Sequence, residues 1–467
     1  MVVNSDFSTS VKTSQMKKSF SLILLFISFL LYYFAPNYYS FEYCLWVHNL
    51  FLASAVFVLI SDIQNEKVGF NLLFSISFFF TNFVYPVYIY PVDPYYSLFS
   101  YSFNEHVISK CTALAQVAYA AYTCGYLWRN HKEKSLEHLD SNFQVSSKQI
   151  RDITIFVLIY FLLFIISGGL DYFEDRYVRG EMSSNMAAQY LMLFFPTIII
   201  FFGSLVFLCR STKQIKYIYG LLTLIALVLL SSGTRTFPLL IFSSLFIIYC
   251  MRNKVTFSFV VPCIIIGILM MSFIGDIRNE GILASNQYNN VSFEFGFLEH
   301  FSDLFINNRN LYVFYDFVDD NSYTYGLTMV SGLLSPIPFA QTLFEGLTEI
   351  PYYLLGSASL STFLTLGDPP EFGLGTNIVG DVYLAFGFVG VLIFFFALGR
   401  LIIYARRRAF NGSFMYLIVY LSLAADAIYM CRAAYLDALR MIVWALILTY
   451  LLLINNKHIN EHIVNNS

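Results

Sequence analysis

Val228–Phe242 reads VLLSSGTRTFPLLIF, an apolar stretch with Arg235 at its centre. One continuous helix through it would hold Arg235 in mid-membrane, which costs about 2.5–3.5 kcal/mol on insertion scales. The residues around it suit a turn instead. Gly233 permits a tight bend, and Pro238 fits an early helical position. The stretch therefore ends one membrane span and opens the next, and Arg235 stands at a membrane face.

The rest of the chain agrees with a membrane solvent. Of its 467 residues 58% are hydrophobic and 12% charged, against about 25% charged in soluble domains. Apolar runs recur from Phe20 to Ile454. At about 20 apolar residues per crossing, these runs predict an all-α polytopic membrane protein of about twelve transmembrane helices. The expected spans are 20–35, 43–61, 68–90, 107–128, 153–170, 188–209, 215–231, 236–251, 255–275, 376–398, 412–430 and 437–454. They divide the chain into a tail (1–19), spans one to nine (20–275), a loop (276–375), spans ten to twelve (376–454) and a second tail (455–467). The Lys17-Lys18 pair before the first span has no small-residue cleavage site after it, so the span is expected to be retained. The seven cysteines form no C-x-x-C pair and read as reduced, buried hydrophobes.

Basic residues orient the spans. With both termini in the cytosol, 19 of the 27 Lys and Arg fall in the tails and one alternating set of connections. The remainder are Lys110 and seven arginines: Arg176, Arg179, Arg235, Arg278, Arg309, Arg432 and Arg440. Topogenic charge has no need of Arg over Lys, whereas phosphate recognition does, because the guanidinium fork pairs bidentately with phosphate oxygens. Arg309 in INNRNLY reads as a solvated loop residue. Arg432 and Arg440 have an equally good reading as ion-pair partners of Asp426 and Asp437. Arg176, Arg179, Arg235 and Arg278 stand beside Gly or Ser where spans emerge, and are the expected anion ligands.

The loop at 276–375 is too long for a plain connection. Phe293, Phe297, Phe301, Leu304 and Phe305 share one helical face, expected to lie in the membrane surface. The apolar part of YTYGLTMVSGLLSPIP (323–338) is too short to span, so it should dip in or lie flat. Asp316, Asp319 and Asp320 read as a solvated acidic face, and no metal is expected.

EFGLGTNIVGDVYLAFGFVGVLIFFFALGR (371–400) resembles the Wzy-type O-antigen or capsule repeat-unit polymerases in its Gly-rich turn, acidic span entry and later glycine step. Asp381, Tyr383, Gly387 and Gly390 carry that resemblance. The Tyr-Gly stretch at 323–338 and Arg235 in SGTR are similar to further elements of the family, the latter shared with O-antigen ligases. A ligase would typically open the span after the loop with His-Asn, whereas this chain has Thr376-Asn377. The resemblance implies polymerisation of undecaprenyl-pyrophosphate-linked repeat units on the periplasmic face of the bacterial inner membrane. It implies no cofactor, no nucleic acid partner and, by single displacement, an inverted anomeric centre. It leaves open a chain-length regulator and a flippase as protein partners. Under that reading Arg176, Arg179, Arg235 and Arg278 hold pyrophosphate, Asn377 and Tyr383 contact substrate, and Asp381, or else His300, is the base. The competing readings are an O-antigen ligase and a lipid-linked glycan flippase, though no internal repeat of the kind transporters show is present.

Overall fold

The structure is a computed structural model. It describes residues 3–63, 68–94, 96, 103–128, 145–174, 185–209, 211–253, 255, 258–263, 265, 267, 301–368 and 373–454. Among these residues the fold is helical, with no strand.

Among the described residues, the helices ahead of the large loop include α1 (Val3–Tyr33), α2 (Phe41–Ile63), α3 (Phe70–Asn82), α4 (Ile108–Leu127), α5 (Ser147–Ile166), α6 (Gly169–Glu174), α7 (Met186–Ser204), α8 (Thr212–Ser231) and α9 (Thr236–Arg252). The described part of the loop carries α10 (Ser302–Phe305), α11 (Asn308–Asp320), α12 (Val330–Leu334), α13 (Ala340–Thr348) and α14 (Ser357–Leu366). Then follow α15 (Ile378–Phe410), α16 (Phe414–Met430) and α17 (Leu439–Thr449).

Among the described residues six helices are long and apolar enough to cross a membrane: Gln15–Tyr33, Phe41–Asp62, Ser147–Ile166, Met186–Phe207, Thr212–Ser231 and Ile378–Phe410. They coincide with six of the expected spans. Four more expected spans meet shorter apolar helices: Phe70–Asn82, Thr236–Arg252, Phe414–Met430 and Leu439–Leu453. The fourth expected span is the Ala- and Tyr-rich α4, and most of the ninth lies outside the described residues. The break at the opening stretch is real: α8 ends at Ser231, Gly233 takes φ +78°, and α9 starts at Thr236.

The centre of the molecule is α15 lying along α4. Small residues let their backbones meet, as in other membrane helix pairs. A Cβ on Gly125 would strike the Phe396 carbonyl, and one on Gly399 the Tyr122 carbonyl. At the far end of this pair sits a buried ion pair. Arg406 Nη1 donates to Asp62 Oδ1 at 2.9 Å, and both atoms also contact the Tyr126 hydroxyl, at 2.6 and 2.7 Å. Asn71 Nδ2 donates to the other Asp62 oxygen at 2.6 Å. Arg406 was counted above as a cytosolic topogenic charge. It is not a solvated charge but lies inside the bundle, 3% exposed at its side chain, because α2 and α4 converge there and supply the acceptors.

Two loop expectations are also corrected. Arg309 is not solvated. It is 1% exposed on α11, donating to Thr365 Oγ1 at 3.0 Å and Asn310 Oδ1 at 3.1 Å. Phe301, Leu304 and Phe305 do not face lipid but are buried in the protein, where the Phe-rich α3 supplies partners such as Phe80, stacked on Phe301 at 4.4 Å. Phe293 and Phe297 lie outside the described residues. All seven cysteines are free, five of them buried.

Breaking one side of a buried pair typically costs about 3–5 kcal/mol, whereas replacing both sides is far cheaper. Arg406→Leu should therefore lower the melting temperature in detergent, and Asp62→Leu with Arg406→Leu should recover much of that loss. A double variant no more stable than the single would show that the pair does not act as a unit.

Candidate functional site

Asp381 lies in the first turn of α15. The helix begins there because Asn377 caps it, its Oδ1 accepting from the backbone N–H groups of Val379 and Gly380 at 2.9 and 3.2 Å. The Asn377 amide donates to Asn82 Oδ1 at 3.0 Å. With no exposed surface, Asn377 is occupied in holding α15 against α3. One turn on, Asp381 is also fully buried. Its Oδ2 accepts from the Tyr435 backbone N–H at 2.8 Å, in the turn between α16 and α17. Ser357 lies beside the same carboxylate, and its Oγ takes a hydrogen bond from Thr376 Oγ1 at 3.0 Å. Asp381 Oδ1 has no hydrogen-bond partner among the described residues.

Asp381 is among the residues lining a cavity of about 710 Å³. Its polar wall includes Ser357, Thr376, Arg432, Asp437 and Arg440. Its other wall is apolar, with Leu193 and Phe194 of α7, Leu334, Ile337 and Phe339 of the loop, and Trp444 of α17. The size and mixed lining are those of a small-molecule site. Arg432 lies over the Tyr429 ring at 5.5 Å, and Arg440 is within electrostatic reach of Asp437. Among the described residues neither arginine forms an ion pair within 4 Å, and both residues line the cavity.

Glycines shape the approach. Gly375, at φ +71°, brings the chain against Asn307 and the Arg432 carbonyl, where a side chain would not fit. Gly387 (φ +65°, ψ −160°) breaks α15. The freed Leu384 carbonyl is taken by Thr324, whose N–H donates at 2.9 Å and Oγ1 at 3.2 Å. The Tyr323 ring packs where a Gly387 side chain would stand, and Gly326 sits under Phe386. Two stretches read separately in the sequence, 323–338 and 371–400, are thus one joint.

The structure gathers only part of the expected site. Tyr383 lies away from this cavity, stacked on Tyr315 at 4.8 Å with Tyr323 edge-on at 6.1 Å. Two positions along a helix point to nearly opposite sides, so Asp381 and Tyr383 cannot share a surface. Arg235 is the half-buried N-cap residue of α9 and is not among the residues lining the cavity. Arg176, Arg179, Arg278 and His300 lie outside the described residues. The cavity's own arginines, Arg432 and Arg440, were in the outer-face set but had an ion-pair reading of equal weight. The overlooked signal was MCRAAYLDALR (430–440), three charges in a short turn between apolar spans.

A family model for the O-antigen polysaccharide polymerase Wzy matches residues 18–459. The chain belongs to this family. No curated protein and no solved structure matches it. Membership in the Wzy family carries a role in polymerising O-antigen polysaccharide, and places the helices above in a multi-pass membrane protein.

A second cavity, of about 500 Å³, lies between α11 and the start of α4, lined by Asn37, Asn104, His106, Lys110, Tyr315, Asp316, Asp319 and Asp320. Among the described residues no group of three His, Cys, Asp or Glu is arranged to hold a metal. Burial raises the Asp316 carboxyl above its usual range, against the pull of the Asn104 N–H that donates to it at 2.7 Å. A raised carboxyl pKa means the folded state holds its proton more tightly. Its contribution to stability is therefore full at low pH and is lost as pH rises from the unfolded value through the folded one. Asp316→Asn, which keeps an acceptor for Asn104, should slightly raise the melting temperature at neutral pH and leave it unchanged below pH ~3. Equal effects at both pH values would show that the charge is not what matters.

Proposed function

We propose that this chain joins undecaprenyl-pyrophosphate-linked repeat units on the periplasmic face of the inner membrane, and that the 710 Å³ cavity is where it does so. The observation that carries this reading is the buried Asp381, one carboxylate oxygen unpartnered, opening on the same space as Arg432 and Arg440. In the reaction an acceptor hydroxyl oxygen bonds to the donor's anomeric carbon. The bond from that carbon to the pyrophosphate oxygen breaks, and the electron pair leaves with the pyrophosphate. Asp381 Oδ1 takes the hydroxyl proton, as a positioned general base does. Arg432 and Arg440 receive the departing negative charge, which preorganised cations in a water-poor site do without reorganising.

The single displacement inverts the anomeric centre, and the residues present need no metal for it. Arg235, Arg176, Arg179 and Arg278 stay in the proposal as ligands to the carrier's phosphates, and His300 as the second candidate base. The domain division at 276–375 and 376–454 is kept on the same footing, since the cavity draws on both segments. A ligase is less well served, because Thr376, where that branch would place histidine, spends its hydroxyl on Ser357.

Asp381→Asn should abolish long glycan chains in a deletion strain while leaving the protein in the membrane. Arg432→Lys and Arg440→Lys should each reduce polymer formation by about 10²–10³-fold, the cost of losing one preorganised donor. Arg235→Ala should shorten the chains as well. Normal polymer from Asp381→Asn, with immunoblots showing equal membrane levels, would remove this cavity from the chemistry.

A further inference from the structure

Residues 326–348 hold a single charged side chain, Glu345. On α13, Leu343 and Leu347 lie one turn apart and are 65% and 83% exposed. The opposite side of the helix is polar and engaged inward. Gln341 Oε1 accepts from Ser331 Oγ at 3.0 Å, and Gln341 Nε2 donates to Glu345 Oε1 at 3.0 Å. Ahead of the helix, Leu333, Ile337 and Phe339 are 56%, 61% and 67% exposed. Leu333, Leu343 and Leu347 therefore face outward, while Ile337 and Phe339, exposed and yet lining the cavity, stand at its mouth, and Ser331 and Gln341 wall it from within.

The patch continues across the cavity mouth. Tyr190 and Leu193 of α7, a helix apolar enough to cross a membrane, are 55% and 38% exposed and line the same cavity. A charge-free apolar face continuous with a membrane-crossing helix fits hydrocarbon, not water. The hairpin is pinned at few points. Trp444 Nε1 donates to the Pro336 carbonyl at 2.9 Å, with Phe194 edge-on to the indole at 5.2 Å, and Gly332 rests against Leu436.

We propose that residues 330–348 form a lid seated in the lipid surface, so that the cavity opens sideways into the bilayer between this lid and α7. The ligand chemistry this opening admits is an anionic headgroup on a long hydrocarbon chain, with the chain staying in lipid while the headgroup reaches Arg432 and Arg440. The lipid seat rests on the exposure pattern alone. The headgroup's destination rests on the polymerase reading.

Nitroxide labels at Leu343→Cys, Leu347→Cys, Leu193→Cys and Gln341→Cys in the full chain, reconstituted in phospholipid nanodiscs, separate these points. The parent chain, with its native cysteines, sets the background. Collision with oxygen, which concentrates in lipid, should dominate at 343, 347 and 193, and collision with a water-soluble nickel chelate should be at least tenfold weaker there. The label at 341 should show the reverse order or protection from both. Nickel-dominated relaxation at 343 and 347 would overturn the lipid seat, and the same result at 193 would overturn the sideways opening. The readout needs no activity, so normal polymer from Asp381→Asn would leave it standing. Binding of a polyprenyl pyrophosphate probe that is unchanged in Arg432→Gln/Arg440→Gln would overturn the headgroup's destination alone.

Discussion

The break at Gly387 is the constraint from which the geometry of the candidate site follows. A helix of 33 residues that ran straight would carry Asp381 along the axis set by the α4 contact. With φ at +65° and ψ at −160°, the chain turns in a way that only glycine tolerates. The turn frees a carbonyl at Leu384, which membrane surroundings would penalise, and Thr324 satisfies it from the loop. The joint therefore fixes the large loop to the helix as well as tilting the helix. The loop-side wall of the cavity, from Thr328 to Ser359, begins four residues beyond this attachment.

Polar networks hold the two ends of the assembly. At one end Asp62, Arg406, Tyr126 and Asn71 satisfy one another inside the bundle. At the other, Asn310 gathers Arg309, Ser361 and the Leu374 carbonyl, tying α11, α14 and the approach to α15 together. Satisfied groups of this kind specify a single arrangement, because any alternative leaves a polar group unpaired in a low dielectric. They explain how a loop rich in Gly, Ser and Thr keeps a defined position beside Asp381.

Much of the fold was legible in the sequence, because membrane spans are written in long apolar runs and their ends in Gly, Pro and Arg. The turn at Gly233 and the first-turn position of Asp381 were read correctly on that basis. What sequence could not show was which polar groups meet across hundreds of residues. Arg406 looked like any cytosolic charge and Arg309 like any loop arginine, since nothing near them in the chain supplies their acceptors. Tyr383 was grouped with Asp381 because both carry the family resemblance, although a helix turns them apart. Arg432 and Arg440 carried a visible signal, but composition alone could not separate an ion pair from a ligand-facing pair.

The Asp62–Arg406 pair has a consequence for how the protein is made. Its partners are 344 positions apart, and α15 reaches α4 and α3 only after everything between has been synthesised. At roughly 5–20 residues per second, Asp62 waits roughly 17–70 s for its guanidinium. Throughout that interval the first four helices hold the carboxylate with Lys17 of α1 as its nearby cation and without the guanidinium that pairs with it directly. The buried polar network at this end of the bundle is therefore completed only when α15, the third-last helix, arrives.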